Sequence, residues 1–428
     1  MCYTTPYFKK FKEITMKKTL LLSAVASTMI MAGGDIAPVE PVVETPAVAA
    51  APSGWDFSGQ AVVYYQTSDL QGTGDLFDQD SSIADFGLQL RAVNKDVFAG
   101  IGIGGEVSAL STLNLENYLV SGVPQTVAYG NDLDDVTDGG WMSQLYMTYA
   151  VGNTSFKLGR QELPKALSPF AFSESWNVFK NTFDAVLVVN TDIQDTTIVG
   201  AWVAGNNVNG PAANMSDFNS LNDSDGVYML TVQNKSVAGL TLTGSYYYAP
   251  SFVADIYADD ANLFWADATY AFNNYTVAGQ YGYMDLNLVA GDNDVQAFGL
   301  KAAGNFDMFN AEVAYSNVND AGFGLLNVGG VKTALYTQMI LNQNFIRNDN
   351  DTFVVRAGMK ALGGKFGLAY DYTTDNSAAE NDYQELDLTY KTKVFNDSTT
   401  VFAGYVYQDA DNWADSNNVI RVWGRYNF

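Results

Sequence analysis

Charged side chains recur inside apolar segments of the chain, and their spacing would let them act on ions and polar solutes. Each charge alternates with Ala, Val, Leu, Tyr or Phe, as in FGLQLRA at 86–92. Successive side chains of a β-strand point to opposite faces, so each charge would lie on a polar face. Fixed charges on such a face attract, repel and orient passing solutes. The candidates are Arg91, Lys157, Glu312, Arg356, Lys360, Asp371, Arg421 and Arg425, with Glu106, Asp267, Glu385 and Asp387 as further acids.

The residue types also exclude the commonest catalytic chemistry. The chain contains no His, so it cannot form a Ser-His-Asp or Cys-His triad or an imidazole metal site. Its single cysteine, Cys2, cannot form an internal disulfide. No pair of acidic residues stands out as a general acid and its matching base. The sequence therefore does not predict an enzyme.

The charge balance is strongly acidic. The 428 residues include 22 Lys and Arg against 47 Asp and Glu, which gives a formal net charge of −25. Such a chain repels nucleic acid, and no basic patch offsets that repulsion. One group of carboxylates is close enough in sequence to bind Ca²⁺: Asp132, Asp134, Asp135 and Asp138. Such a cluster is more often solvated loop charge, so these four residues are only candidates for a calcium site. No other cofactor is expected.

The alternating segments predict an all-β fold. Each runs for about nine to thirteen residues with a period of two. The segment Lys332–Phe345 fits neither a clean strand nor a loop, so we assign it to a long loop and keep a 16-strand barrel as the alternative. An even strand number suits a single-chain barrel. The 18 predicted strands cover roughly 55–66, 83–93, 97–108, 141–151, 154–162, 180–190, 195–205, 226–234, 239–248, 261–272, 275–284, 295–303, 308–317, 351–361, 365–373, 383–393, 399–407 and 418–428.

The connections and the strand ends favour a barrel in a membrane. Short connections carry turn residues such as Gly363-Gly364, whereas long ones such as 112–139 are polar and acidic. Tyrosines end several apolar faces, as Tyr370 and Tyr372 do, and a Tyr ring suits the membrane interface. A soluble β-sandwich also alternates, but the tyrosines at the strand ends and the mid-strand charges of the other face, which a watery lumen accepts, favour a barrel. We therefore predict a transmembrane antiparallel β-barrel with its long loops on the extracellular side.

The N-terminal region predicts export from the cytoplasm. Lys17 and Lys18 precede an apolar run from Thr19 to Ala32, and small residues follow it, as in a secretory signal. We assign residues 1–33 to a signal peptide, with Met16 as an alternative start. Residues 34–53 are rich in Pro and Ala and form a predicted periplasmic linker. The barrel domain then covers residues 54–428, and its partners would include outer-membrane lipid.

The C-terminus carries a pattern typical of barrel assembly. Tyr426 and the terminal Phe428 continue a series of apolar residues at alternate positions. This series is similar to the C-terminal signature of Gram-negative outer-membrane barrels, which the barrel-insertion machinery reads. We predict that Tyr426 and Phe428 form the assembly signal and that the protein lies in the bacterial outer membrane.

One region resembles a known porin family. In Phe156–Val188 a strand ends in GRQ, a Pro-containing loop follows, and an aromatic residue leads into TFDA. This order resembles the OprD and major-outer-membrane-porin type, as does ALYT at 334–337. The resemblance implies an 18-stranded, usually trimeric channel whose third long loop, here Leu163–Phe179, folds inward as a constriction. Lys165 and Glu174 would then face the pore, and the anchors of the loop on the inner wall would be Phe170, Phe172, Trp176 and Phe179.

The sequence thus predicts a porin, a water-filled channel for passive diffusion of ions and small polar solutes. The acidic loops predict a mild preference for cations. Two alternatives remain open. The third long loop would pack at a trimer interface if it stayed outside the lumen, and the chain would be a surface adhesin or structural barrel if its lumen were sealed.

Overall fold

The structure is a computed structural model of the chain. The predicted signal and linker, residues 1–53, lie outside the part that it describes, and so do the calcium candidates Asp132, Asp134, Asp135 and Asp138. The described residues are 54–70, 74–78, 81–111, 140–209, 215–253, 258–288, 294–321 and 324–428.

The described residues form nineteen β-strands and two short 3₁₀ turns, Asn222–Ser224 and Asn342–Asn344. None of the helical segments in these ranges is long and apolar enough to cross a membrane. In chain order, β1 to β19 are Asp56–Ser68, Ser82–Phe98, Ile101–Ser111, Gly140–Val151, Thr154–Gln161, Phe183–Asn190, Thr196–Asn207, Phe218–Ser220, Val227–Asn234, Leu240–Val253, Ala258–Phe272, Tyr275–Leu288, Val295–Phe306, Phe309–Val318, Asn350–Ala361, Gly364–Asp375, Tyr383–Val394, Thr399–Ala410 and Asn417–Asn427.

Eighteen of these strands close into one antiparallel barrel. Each barrel strand pairs with its neighbours along the chain, and β1 pairs with both β2 and β19. The three-residue β8 pairs only with β7, while β7 also pairs with β9 and so continues the wall. The predicted all-β barrel of 18 strands is confirmed, and Lys332–Phe345 lies in a connection, as assigned. We call the two ends of the barrel the long-loop end and the short-turn end.

The alternation in the sequence sets which side chains face outward. On the outward face Val63, Leu90 and Leu145 are each about half exposed, whereas the alternate positions face the lumen. An apolar outward face needs lipid around it, because water would make that exposure unfavourable. Closure of the barrel pairs the backbone groups of both edges, as a membrane requires.

Aromatic side chains form a belt on the outward face near each end. At the long-loop end, tyrosine hydroxyls donate hydrogen bonds to polar side chains, as Tyr283 does to Asp294 at 2.7 Å. At the short-turn end, rings stack on one another, as Tyr270 and Phe272 do at 5.6 Å. Tyr and Trp rings favour membrane interfaces because one side is apolar and the other reaches water. The two belts mark the boundaries of the apolar surface.

The core lies inside the barrel, since two connections fold into the lumen. Loop A comprises residues 162–182, between β5 and β6, and loop B comprises the described residues 319–321 and 324–349, between β14 and β15. Phe179 of loop A and Leu335 of loop B are both almost fully buried. In Gly87 of β2, an added Cβ would lie 2.6 Å from the ring of Phe179, so only glycine lets loop A approach this wall so closely.

The seam between the first and last strands is closed by the terminal residue. The N–H of Phe428 donates to the oxygen of Gly59 at 3.0 Å, and the N–H of Gly59 donates back to Phe428 at 2.8 Å. A Cβ at residue 59 would lie 2.6 Å from the Phe428 ring. Tyr426 and Phe428 lie on the outward face, and their rings are 5.7 Å apart.

Candidate functional site: the lumen and its loops

Loop A crosses the lumen and contacts the inner wall on two sides. The Phe170 ring packs edge-on against Tyr247 at 5.9 Å and against Trp265 at 5.1 Å. Tyr247 lies on β10 and Trp265 on β11. Near the other end of loop A, the Phe179 ring packs against Trp141 of β4 at 6.1 Å. Aromatic contacts therefore attach loop A to walls on both sides of the lumen.

Glu174 joins loop A to loop B. Its carboxylate accepts hydrogen bonds from Trp176 Nε1 at 2.8 Å and from Asn327 Nδ2 at 2.9 Å. It also accepts the backbone N–H groups of Val331 at 3.1 Å and Lys332 at 2.8 Å. The side chain is only 3% exposed. This arrangement differs from the predicted pore-facing position, because four donors enclose the carboxylate between the two loops.

Two further contacts fix loop A in place. Lys165 Nζ donates to the backbone oxygen of Thr333 at 3.1 Å and lies 5.1 Å from the Phe172 ring centroid. The guanidinium of Arg421 lies 5.2 Å from the Trp176 ring centroid. Lys165 thus binds loop B, while Arg421 ties loop A to the last strand of the wall.

A charged cluster covers the inner wall at β2–β5 and the base of loop A. Arg91 Nη2 lies 2.6 Å from the Glu106 carboxylate and 3.7 Å from that of Glu162. Lys180 Nζ lies 2.7 Å from Glu162. Burial raises the pKa of Glu162, but Lys180, Arg91 and Lys157 lower it by more, so the net pKa is below its ordinary value. The cluster holds three basic and two acidic groups.

Two arginines extend this basic side along β19. Arg421 Nε donates to Gln66 Oε1 at 2.8 Å, and Arg425 Nη1 donates to Gln60 Oε1 at 2.7 Å. Arg425 Nη2 also donates to the backbone oxygen of Val178 in loop A at 3.1 Å. Both guanidinium groups therefore lie on the inner face next to β1.

The opposite wall carries a second charged cluster on β11–β15. Arg356 Nη1 donates to Glu312 at 2.5 Å across neighbouring strands, and its Nη2 donates to the backbone oxygen of Gln338 at 2.9 Å. Tyr336 of loop B donates its hydroxyl to Asp267. Through these bonds the β11–β15 wall binds loop B. The Arg356 guanidinium is paired with the Glu312 carboxylate, which carries the opposite charge.

Three acidic side chains on β16 and β17 hold the middle of loop B. Asp371 accepts from Asn342 Nδ2 at 2.6 Å, and Glu385 accepts from the backbone N–H of Leu341 at 2.9 Å. Asp387 accepts a further loop B backbone N–H at 3.4 Å. No group of His, Cys, Asp or Glu among the described residues is arranged to hold a metal ion. These acids thus bind loop B, Asp371 through the Asn342 side chain and the other two through backbone N–H groups.

Comparison with solved structures finds the same fold at low sequence identity. OccK8 (OprE) of Pseudomonas aeruginosa is 15% identical, with a TM-score of 0.66 over 87% of this chain and 98% of that chain. OpdO of the same organism is 14% identical, with a TM-score of 0.69 over 87% and 97%. OccAB3 of Acinetobacter baumannii is 13% identical, with a TM-score of 0.67 over 87% and 99%. No family model matches the chain, and no curated protein matches its sequence.

The chain has the Occ porin fold. The resemblance read from GRQ and TFDA is confirmed at the level of the fold. An Occ-type closed barrel with an apolar outward face is a structure of the bacterial outer membrane, which agrees with the predicted localisation.

The Occ-type barrel brings most of the predicted site residues to its inner face. Lys360 is separate from them, because it is exposed near the short turn after β15, opposite Lys365 of β16. Lys165 and Glu174 lie at the contact between loops A and B. Seven predicted residues lie on the inner face, in the two charged clusters, along β19 or among the acids of β16 and β17. They are Arg91, Lys157, Glu312, Arg356, Asp371, Arg421 and Arg425.

Several charged residues of this Occ-type lumen were not predicted, among them Lys301, Glu162 and Lys180. Lys301 lies 4.4 Å from the Tyr336 ring centroid, and its alternation with outward Leu300 is a signal that could have identified it. Glu162 and Lys180 were expected as end residues of the strands 154–162 and 180–190, but both lie in loop A. Only the folded loop brings them together, so the alternation of the strands could not identify that pair.

Proposed function

We propose that the chain is an outer-membrane porin, with a water-filled channel for passive diffusion of ions and small hydrophilic solutes. The observation that carries the proposal is the exposure of a charge inside the barrel, since the Arg91 side chain is 40% exposed. A guanidinium that is exposed inside a barrel needs water around it, because an unhydrated charge is unfavourable. A dry, sealed lumen would not provide that water. An 18-strand barrel is also wide enough to enclose water where loops do not fill it.

The constriction in this proposal is loop A. Its aromatic anchors and its Glu174 contact hold it across the lumen, so solutes would pass beside it. The wall at β19 and β2–β5 carries an excess of basic groups, whereas the buried acids Asp371, Glu385 and Asp387 lie on the β16–β17 side. Charges of opposite sign on separate parts of a pore wall create a field that orients polar solutes.

The proposed channel has a mild preference for cations. The chain carries a net charge of −25, and the connections at the long-loop end are rich in Asp. Acidic loops raise the local concentration of cations at the mouth of a pore. The paired charges of the two inner clusters limit the size of this preference.

The assembly proposed here follows the family resemblance. A signal peptide in residues 1–33 directs export, the linker 34–53 lies in the periplasm, and the insertion machinery reads Tyr426 and Phe428. The folded barrels form a homotrimer with the long-loop end outside the cell. Native mass spectrometry of the purified protein measures the oligomeric state, and Edman sequencing measures the mature N-terminus.

A second candidate function is a surface adhesin or structural barrel with a sealed lumen. The observation in its favour is the extent to which loops A and B fill the barrel, since residues such as Phe179 and Asp371 are fully buried inside it. Such a protein would insert stably into lipid but would pass no current.

Single-channel recording in a planar bilayer with a KCl gradient tests the proposal. We expect stepwise openings, in multiples of three for a trimer, and a reversal potential that favours cations. Mock preparations from cells without the protein provide the control. Stable insertion without current would overturn the porin function in favour of the sealed barrel, and an anion-favouring potential would overturn the ion preference alone.

A further inference from the structure

A large cavity lies inside the barrel toward the long-loop end. It has a volume of about 740 Å³ and lies between the inner wall at β7–β12 and the described part of loop B. Ligand sites for compounds of drug size range from about 300 to 1,000 Å³. Its wall is apolar, with side chains that include Val203, Val227, Ala249, Ala261, Leu263 and Met284.

The floor of the cavity is aromatic. Phe170 of loop A lines the cavity and packs against Tyr247 and Trp265. Along the inner face of β11 the next residue beyond Trp265 is Asp267, which bonds Tyr336. The lumen therefore changes from apolar to charged at the level of Phe170, and the cavity is an apolar chamber above the charged clusters.

The rim of the cavity is acidic. Asp349 and Asp375 line it, and the pKa of Asp349 is raised by burial and by the neighbouring charges of Asp320, Asp375 and Asp351. No described residue donates a hydrogen bond to the Asp349 carboxylate. Asp349 and Asp375 carry like charges at one mouth, which favours a positively charged group between them.

One basic residue also lines the cavity. The Arg347 side chain packs over Gly324, where an added Cβ would lie 2.9 Å from Arg347 Cγ. A single arginine does not balance both acids, so the rim remains negative in sum. The apolar wall favours an apolar part of a ligand, and the acids at the rim favour a positive charge at its other end.

We infer that this chamber binds organic ammonium compounds, with an apolar ring-sized body against the β7–β12 wall and the cationic group at Asp349 and Asp375. The inference deepens the proposed porin function by naming a class of solute. Burial of the apolar body supplies affinity. The rim charges supply the preference for a cation over an anion of the same shape.

Binding is tested with 2-phenylethylamine, added to the folded protein in detergent, by the change in Trp fluorescence, since Trp265 packs against Phe170 of the floor. The matched anion is 3-phenylpropionate, and ethylamine is the cation without a ring. We expect saturable binding of the aromatic amine, at least about tenfold tighter than either control. Equal affinities for the aromatic amine and the aromatic acid would overturn the inference.

Two variants on one strand locate the site. Ala261→Trp fills the chamber, because Ala261 is buried in its wall, whereas Ala266→Trp adds the same ring to the outward face of β11. We expect Ala261→Trp to lose at least about tenfold in affinity and Ala266→Trp to bind as the unsubstituted protein does. Heat-modifiable migration on gels checks that both variants are folded. Unchanged binding by folded Ala261→Trp would overturn the location.

A third variant tests the charge. Asp349 has a φ of 45°, which Asn also adopts readily, so Asp349→Asn removes charge with little backbone strain. We expect about three- to tenfold weaker binding of 2-phenylethylamine and no change for neutral 2-phenylethanol. Equal losses for both probes would overturn the role of the acid.

The conductance of the same preparations separates this inference from the porin proposal. Protein that conducts KCl without binding the amine retains the proposed function and overturns the chamber. Protein that binds the amine without conducting supports the chamber and overturns the open channel.

Discussion

Arg160 and Asp184 form a two-pronged ion pair across β5 and β6. Nε of Arg160 lies 2.9 Å from Oδ1 of Asp184, and Nη2 lies 3.0 Å from Oδ2. Both side chains are on the outward face, and the Phe218 ring covers the guanidinium at 3.2 Å. Arg160 and Asp184 are the charged residues of GRQ and TFDA, so the segments that resemble the porin family meet at the place where loop A leaves the wall.

We predict that this pair stabilises the barrel. Arg160→Ala and Asp184→Ala should each lower the free energy of unfolding by about 1–2 kcal/mol, since both groups are half-buried and water screens part of their attraction. The double variant should lose less than the sum of the two, because each single variant leaves one charge without its partner. Urea unfolding in lipid vesicles, followed by Trp fluorescence, measures all three. Additive losses would show that the pair is not coupled.

The seam at Gly59 should tolerate no side chain. In Gly59→Ala the new Cβ would meet the backbone oxygen of Gln89 and the Phe428 ring, both at 2.6 Å. We expect a loss of about 1–3 kcal/mol from this overpacking, together with slower assembly. Gly424→Ala on the other strand of the seam is the control, since nothing lies within 4 Å of its Cβ. Heat-modifiable migration measures assembly, and equal effects of the two variants would contradict the steric explanation.

Glu174→Gln should loosen the contact between loops A and B. The amide nitrogen of Gln replaces one of the two carboxylate oxygens. Either Lys332 and Asn327 or Val331 and Trp176 therefore lose their acceptor, at about 1–3 kcal/mol for each buried donor. We expect a lower unfolding midpoint and more frequent current fluctuations in single-channel records. Glu380→Gln changes an exposed acid in the connection after β16 and should behave as the unsubstituted protein does. Single-channel records from Glu174→Gln without additional current fluctuations would show that the other contacts hold loops A and B together.

The ion pairs of Glu162 predict a specific response to acid. Its folded pKa is lowered because Lys180, Arg91 and Lys157 outweigh the effect of burial. A lowered pKa means that the stabilisation is complete above the unfolded pKa, about 4.3, and is lost as pH falls through the folded value. The difference in urea midpoint between the unsubstituted protein and Glu162→Gln should stay constant from about pH 7 to 5 and shrink below about pH 4. A difference that shrinks already near neutral pH would contradict the lowered pKa.

Lys157→Gln should shift the reversal potential toward cations. Lys157 lies on the inner face of β5, with its Nζ 3.9 Å from the Tyr146 ring centroid, and its loss removes a basic charge beside the proposed pore. Lys235→Gln is the control, because Lys235 is exposed in the turn between β9 and β10. Recordings in a KCl gradient compare the two. Identical potentials would place the conducting path away from the β2–β5 wall.

The strands were predictable because apolar and polar residues alternate along each of them, so each strand can be recognised from its own sequence. The positions at which the strands begin and end were less predictable. β2 was expected at 83–93 but extends to Phe98, because its last residues pair with β3 beyond a register shift after Asn94. A register shift of that kind depends on the partner strand, so the alternation within β2 does not reveal it.

The loop contacts were not predictable for a different reason. Glu174 and Lys332 are 158 positions apart, and their bond depends on two connections folding into the same lumen. The resemblance implied an inward fold of loop A, and the Phe170 and Phe179 rings of loop A pack on wall residues. Glu174 carries the same charge whether it faces water or four N–H donors, so its type alone could not distinguish the two.

The pairing of Gln60 with Asn427 also has a consequence for biosynthesis. β1 can complete its hydrogen bonds only with β19, so the sheet has two open edges until these two strands pair. Open edges attract other chains, and contacts between distant residues form slowly. An unfinished barrel must therefore be kept apart from other copies until β19 has paired with β1.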